Sequence, residues 1–368
     1  MSLTHTIPAD VASIERELRH LWRSEAEAER DAAGPLLCAR TLNLLVYAPA
    51  EETPEEIAVL LDPITAEHPC RAILIQETKG VEKLEARVSA SCLRMADANR
   101  YVARELISLQ MREINCDQLQ SVVTPLLVPD LPVFLWWRGA AEVDSELFSR
   151  LIKRCARVII DFTALRDAWS ELPRLARSIG QHTGRTAFTD LAWSRLTQWR
   201  QLTAQFFDSP ALVHYLARLD RVVVEHGAKS GRPESPPADA MLFVAWLARL
   251  LGWRRSGAFA GGHGYRLTAH GRDIVVEFKP REAENAGLAG IRLSTEQPEA
   301  ASFSVSVAEG GKGLATCTEV HDKWPMRRIV RSNALSEAEM IGSELDVITR
   351  DTLYEETLAT TAELSGTA

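Results

Sequence analysis

The 368-residue sequence has no apolar run approaching the ~20 residues that a bilayer crossing needs. Its N-terminus shows neither a charged leader nor a hydrophobic signal segment, so a cytoplasmic protein without a membrane partner is the expectation. Positive charge is in deficit: 42 Lys and Arg against 50 Asp and Glu leave a formal net charge of −8, which argues against nucleic acid as a partner. The six cysteines (Cys38, Cys70, Cys92, Cys116, Cys155, Cys317) lie far apart without a CxxC or zinc-like spacing, and read as reduced, packed thiols. The nine histidines form no H-x-H or H-E-x-x-H, which leaves no metal signature. No G-x-G-x-x-G follows an early strand, and neither G-x-x-x-x-G-K-[ST] nor G-x-S-x-G occurs. Dinucleotide, P-loop and nucleophile-elbow chemistry therefore lose their support, and no cofactor is expected.

What is present is ordinary for a globular chain: 46% hydrophobic and 25% charged residues, at a length that favours two domains. Val11, Ile14, Leu18, Leu21 and Trp22 share one helical face. The stretch "TLNLLVYAP" reads as a strand, followed by a helix started by Thr53, Pro54 and Glu56 and cut short by Pro63. "CRAILIQ" is a second strand. From Leu84 to Leu93 apolar and polar residues alternate, and "YVARELISLQM" returns beside them as an antiparallel hairpin, making the sheet mixed. A helix from about Asp117, the strand "PVFLWW", a helix through Leu147, Leu151 and Cys155, and the strand "ARVIIDF" complete an N-terminal α/β domain over residues 1–165.

Residues 166–368 read as an α+β domain. Helices "LPRLARSIG" and "DLAWSRLTQWRQLTAQFFD" precede the strand "DRVVVEH" and a flexible Gly-, Pro- and Ser-rich loop at about 226–239. An apolar helix, "MLFVAWLARLLGW", leads into an antiparallel meander of "GYRLTAH", "RDIVVEF", "SFSVSVAE" and "LATCTEV". A long C-terminal helix then starts at a Ser336/Glu339 capping box and carries Ala338, Ile341, Leu345 and Ile348.

The chemistry is sparse. The glycine cluster "SGAFAGGHGY" follows a helix and precedes a strand, the reverse of a phosphate loop, and reads as a turn. Asp161 ends its strand as either a general base or a cap. In "PVFLWWRG", Val133, Leu135 and Trp137 point to one face and Phe134 and Trp136 to the other, so the tryptophans are mainly core. Arg138 and Gly139 emerge at the carboxyl end. There the guanidinium could meet a partner's carboxylate or a small anion, or pair internally with Asp130 or Glu142. The second aromatic and basic cluster is Trp193, Arg195, Trp199 and Arg200, of types that dominate interface hot spots. Partner-binding candidates are thus Trp136, Trp137, Arg138, Trp193, Arg195, Trp199 and Arg200. The competing reading is a sugar-phosphate enzyme or sensor with an anion site near Arg138 or Arg327, Arg328 and Arg331.

"PLLVPDLPVFLWWRG", "DLAWSRLTQWRQLTAQFFD" and "RRIVRSNALSEAEMIGSELD" resemble, in this order, the OpcA family, the assembly and activator factors of bacterial glucose-6-phosphate dehydrogenase. The resemblance implies a non-catalytic protein that binds the dehydrogenase and promotes its active oligomer or conformation in the oxidative pentose phosphate pathway. In some cyanobacterial members thiol oxidation enters the regulation, but this sequence has no adjacent cysteine pair that matches such a switch.

Overall fold

The computed structural model describes residues 6–28, 40–78, 83–94, 101–111, 115–139, 142–228, 235–282, 287–296, 299–321, 325–331, 335–347 and 349–365. After the short strand β1 (Ile7–Pro8), helix α1 (Val11–Ala28) buries Ile14 and Leu18, the expected apolar face. Strand β2 (Leu42–Ala48) leads to α2 (Pro54–Glu67). The Thr53 hydroxyl accepts from the Glu56 N–H while the Glu56 carboxylate accepts from the Thr53 N–H, closing the helix N-terminus. Contrary to expectation, α2 continues through Pro63. The carbonyl deprived of its donor is that of Val59, a residue 68% exposed, so water can take its place.

Strands β3 (Cys70–Glu77), β4 (Glu85–Arg94) and β5 (Tyr101–Met111), helix α3 (Cys116–Leu126), β6 (Val133–Trp137), α4 (Glu146–Leu151) and β7 (Arg157–Ile160) follow the anticipated order. Next come α5 (Ala168–Gly180), β8 (Ala187–Asp190), α6 (Leu191–Arg195), α7 (Thr197–Gln205), β9 (Arg221–Ala228) and α8 (Ala238–Leu251). The helix expected from Asp190 is thus two, parted at Leu196. The expected loop narrows, because β9 runs to Ala228 and α8 begins at Ala238; 229–234 lie outside the described residues. Strands β10 (Arg254–Gly257), β11 (Gly264–Ala269), β12 (Arg272–Glu282), β13 (Gly287–Thr295), β14 (Ala301–Val307), β15 (Leu314–Val320) and β16 (Met326–Val330) precede α9 (Glu337–Leu345) and α10 (Thr352–Leu364). The C-terminal helix is therefore also divided. Its Ser336 capping box is present, but α9 stops at Leu345, and Asp351 starts α10 by accepting from the Tyr354 N–H at 2.9 Å; Ile348 lies outside the described residues.

The chain forms two compact units. The first comprises 1–160, 183–189 and 335–350; the second comprises 161–182, 190–334 and 351–368. The sheet of the first unit has the order β1-β4-β5-β3-β2-β6-β7-β8. Its strands β5, β3, β2, β6 and β7 run parallel, and β4 is antiparallel to β5. Every residue of β2 and β6 is buried, as a sheet covered on both faces requires.

The second sheet has the order β10-β11-β12-β9-β13-β14-β15-β16, antiparallel except where β9 meets β12. Along β14, Ala301, Phe303 and Val305 are buried and Ser302, Ser304 and Ser306 are half-buried, the alternation of a sheet with one dry face. Helix α8 is buried continuously from Ala238 to Ala248 and packs on α5 and α10, which explains why it is apolar all round.

A carboxylate lies in the core of the first unit. Glu105, 1% exposed, accepts from Arg71 Nε at 2.7 Å and Trp22 Nε1 at 2.6 Å, and is also engaged by the Arg40 guanidinium. Arg71 Nη1 in turn donates to Glu15 at 2.7 Å and to the Leu126 carbonyl at 2.9 Å. Burial pushes the Glu105 pKa up, but Arg71 and Arg40 pull it below the usual carboxylate range, so it stays ionised. Replacing Glu105 by Ala strands Arg71 without its countercharge and is expected to cost about 3–5 kcal/mol in urea denaturation. The pair replacement Arg71→Met with Glu105→Leu should recover most of that loss.

Candidate functional site

The first candidate cluster stands at the carboxyl end of β6. Trp136 and Trp137 are each 1% exposed and are core residues on opposite faces of the strand. The Trp137 ring stacks on Tyr47 at 3.9 Å and meets Phe148 edge-on at 5.0 Å, while its Nε1 donates to the Gly139 carbonyl at 2.5 Å. A side chain at Gly139 would collide with the Tyr47 ring and Glu142 at 2.8 and 2.9 Å, so only glycine fits.

Arg138 pairs with neither Asp130 nor Glu142, the two internal partners considered from sequence. Its Nε and Nη2 form a fork on Glu52 at 2.7 and 2.9 Å, and its Nη1 donates to Glu337 at 2.6 Å. The guanidinium also lies 4.6 Å from the Trp136 ring centroid. Burial pulls the Arg138 pKa down, but Glu52 and Glu337 more than offset this and hold it above its ordinary value. Glu142 instead accepts from the Tyr47 hydroxyl at 2.6 Å. Sequence reasoning missed Glu52 and Glu337 because they stand 86 and 199 residues from Arg138, and no local signal links them.

The second cluster lies on α6 and α7. Trp193 is 2% exposed and Trp199 8%, whereas Arg195 is exposed. Arg195 forms a fork on Asp161, both bonds 2.9 Å, and Asp161 also accepts from the Thr163 N–H at 3.0 Å. Asp161 is therefore a cap and an arginine partner. Trp193 Nε1 donates to Asp351 at 2.8 Å, and the Arg200 guanidinium sits 3.4 Å above the Trp193 ring. Burial lowers the Arg200 pKa to about 10 despite Asp351. Asp190 caps α6 by accepting from the N–H groups of Ala192 at 2.9 Å and Phe162 at 3.1 Å. Burial, with Asp161 adding to it, raises the Asp190 pKa well above the aspartate range.

The basic run does not converge. Arg327 and Arg328 are exposed on β16 and point to opposite faces of the sheet by strand alternation. Arg331 follows the strand, and its carbonyl accepts from Gln198 Nε2 at 3.3 Å. In the glycine cluster, Gly261 and Gly262 have φ of +89° and +74°, the backbone of a turn between β10 and β11. Among the described residues no group of three or more His, Cys, Asp or Glu could hold a metal ion. Among them, too, no helix is long and apolar enough to cross a membrane.

A family model described as glucose-6-phosphate dehydrogenase subunit N-terminal domain matches residues 62–177, and one described as the C-terminal domain of the same subunit matches 186–358. The chain belongs to the OpcA family. A relative from Synechococcus elongatus that carries the name OxPP cycle protein OpcA is 28% identical over 326 residues, covering 83% of this chain and 70% of the relative. One of the same name from Nostoc punctiforme is 27% identical over 322 residues, covering 83% and 67%. Two solved structures align at a TM-score of 0.47. An oxidoreductase, yvaA, from Bacillus subtilis is 8% identical, covering 87% of this chain and 94% of its own. An oxidoreductase domain protein from Kribbella flavida is 10% identical, covering 89% and 98%. Likeness at that level says nothing about chemistry.

The raised pKa of Asp190 sets a direction for stability with pH. The folded carboxyl keeps its proton where the unfolded chain has lost it, so its contribution is complete below about pH 3.9 and declines as pH rises toward its own pKa. Asp190→Asn keeps the accepting oxygen and cannot ionise. Urea melts should show this variant at least as stable as the native protein at pH 7, with a flatter profile above pH 4. Asp190→Ala also loses the cap and should cost about 0.5–2 kcal/mol below pH 4, with the difference from the native protein narrowing as pH rises.

Proposed function

We propose that this chain is a non-catalytic cytoplasmic subunit that binds glucose-6-phosphate dehydrogenase and favours its active assembly in the oxidative pentose phosphate pathway. The observation that carries the reading is the pair of family models, both described as domains of a glucose-6-phosphate dehydrogenase subunit, along residues 62–177 and 186–358. The candidate clusters agree with it. Their polar groups are committed to caps, forks and ring contacts. A subunit that activates by selecting a conformation must bind the active form of its target more tightly. Coupling of about 1–3 kcal/mol, roughly 5–150-fold, is the usual scale.

Within the second unit, Arg195 is the proposed contact residue, since it is exposed and its fork on Asp161 holds the guanidinium fixed at the surface, where its planar face can meet a partner. Trp193, Trp199 and Arg200 support the helices that carry it. In the first unit, Trp136, Trp137 and Arg138 are proposed to act by holding the β6 terminus rigid. The exposed but divergent Arg327 and Arg328 give the sugar-phosphate reading no comparable support.

Titrating the chain into its cognate dehydrogenase should produce a complex on size-exclusion chromatography and shift the rate or the substrate half-saturation at least about 5-fold. Absence of both effects removes the proposal. Arg195→Ala should weaken the complex about tenfold while leaving the melting temperature in place. Trp136→Ala should lose about 3–5 kcal/mol of stability by opening a core cavity.

A further inference from the structure

Numbering β2, β3, β5, β6, β7 and β8 as one to six, the strands of the first unit stand in the order 3-2-1-4-5-6. That is the doubly wound order in which dinucleotides lie at the reversal point, here the carboxyl ends of β2 and β6. Such a site needs free N–H groups at the start of the first crossover helix, a glycine-rich turn that lets the backbone approach the pyrophosphate, and no competing negative charge.

The residues at this point do not fit. The turn after β2 is Pro49, Ala50, Glu51, Glu52 and Thr53, without a glycine. Glu55 and Glu56 occupy the first turn of α2, so four carboxylates fall within six residues where the pyrophosphate would lie. The helix terminus is already engaged, since the Glu56 N–H donates to the Thr53 hydroxyl at 3.3 Å. The one retained feature is Glu77 at the end of β3, where folds of this order hold a ribose hydroxyl.

The space at the reversal point belongs to the chain itself. Arg138 follows β6 and its N–H donates to the Tyr47 carbonyl of β2 at 3.0 Å, which closes the two strand ends together. Its guanidinium grips Glu52 from the α2 entry and Glu337 from the first turn of α9, with the side chain only 13% exposed. Gln76 of β3 adds a bond from its Nε2 to the Pro49 carbonyl at 3.1 Å. We infer that the reversal point is closed to dinucleotides and serves as an internal ion lock, in which Arg138 joins β6, the entry of α2 and the start of α9. This inference does not depend on which protein the chain binds.

Two measurements on the full chain test it. Calorimetric titration with NADPH and with NAD+ should give no saturable binding up to about 1 mM. Saturable NAD+ binding that Glu77→Gln weakens about tenfold, or NADPH binding that it strengthens by removing repulsion of the 2′-phosphate, would place a nucleotide at the reversal point and overturn the closure; binding indifferent to that change lies elsewhere and leaves the closure standing. For the lock, Arg138→Met should lower the melting temperature by about 6–12 °C, by stranding two carboxylates. Arg138→Lys should recover part of this, because one ammonium cannot reproduce the fork and the third bond together. Glu337→Gln is the milder probe should Arg138→Met fail to fold, and a melting temperature within about 1 °C of native for both Arg138→Lys and Glu337→Gln would overturn the lock.

Discussion

At the centre of the first unit an ionised carboxylate is held out of water, and the arrangement around it depends on that charge being answered. Glu105 on β5 and Arg71 on β3 are direct register partners, so a one-residue slip between these strands would part them and turn each side chain to the other face. Arg71 also reaches α1 through Glu15 and the end of α3 through the Leu126 carbonyl. A single ionic centre thereby sets strand register and the seating of two helices. An apolar core of equal volume could be as stable, but it would not select this register so sharply.

Arginine plays the same part elsewhere in the first unit. Arg157, 2% exposed, bonds Glu344 at 3.4 Å and the Thr349 carbonyl, so α9 and the residues after it are fastened at one end by Arg157 and at the other by Arg138. Both guanidiniums combine planar geometry with weak hydration, which is why arginine and not lysine suits such half-dry positions. In the second unit the forks are more open. Arg195 reaches Asp161 near the surface, and Arg200 rests on an indole ring.

Much of the architecture was legible in the sequence wherever local pattern decides local structure. The period-two alternation of β4 and β14, the Thr53 and Ser336 capping boxes and the unbroken apolar run of β6 all mark elements that the structure contains. Breaks were less visible. Leu196 parts α6 from α7 and Asp351 restarts a helix after α9, although neither interrupts the apolar pattern strongly. The proline rule misled at Pro63 because its cost depends on whether the orphaned carbonyl can reach solvent, a tertiary property. Strands β1, β8, β10, β13 and β16 were not singled out, since short or mixed segments become strands through their neighbours. At the candidate clusters, alternation along β6 was enough to bury Trp136 and Trp137, yet the partners of Arg138 lie too far along the chain for any local rule.

The first unit is assembled from three stretches, 1–160, 183–189 and 335–350. During synthesis its sheet must wait for β8, and the acidic groups that answer Arg138 and Arg157 emerge from the ribosome nearly two hundred residues after their cations. Until then the two guanidiniums, one buried and one half-buried in the finished unit, lack part of their countercharge. Premature termination before residue 335 would leave the unit unfinished despite an intact N-terminal half.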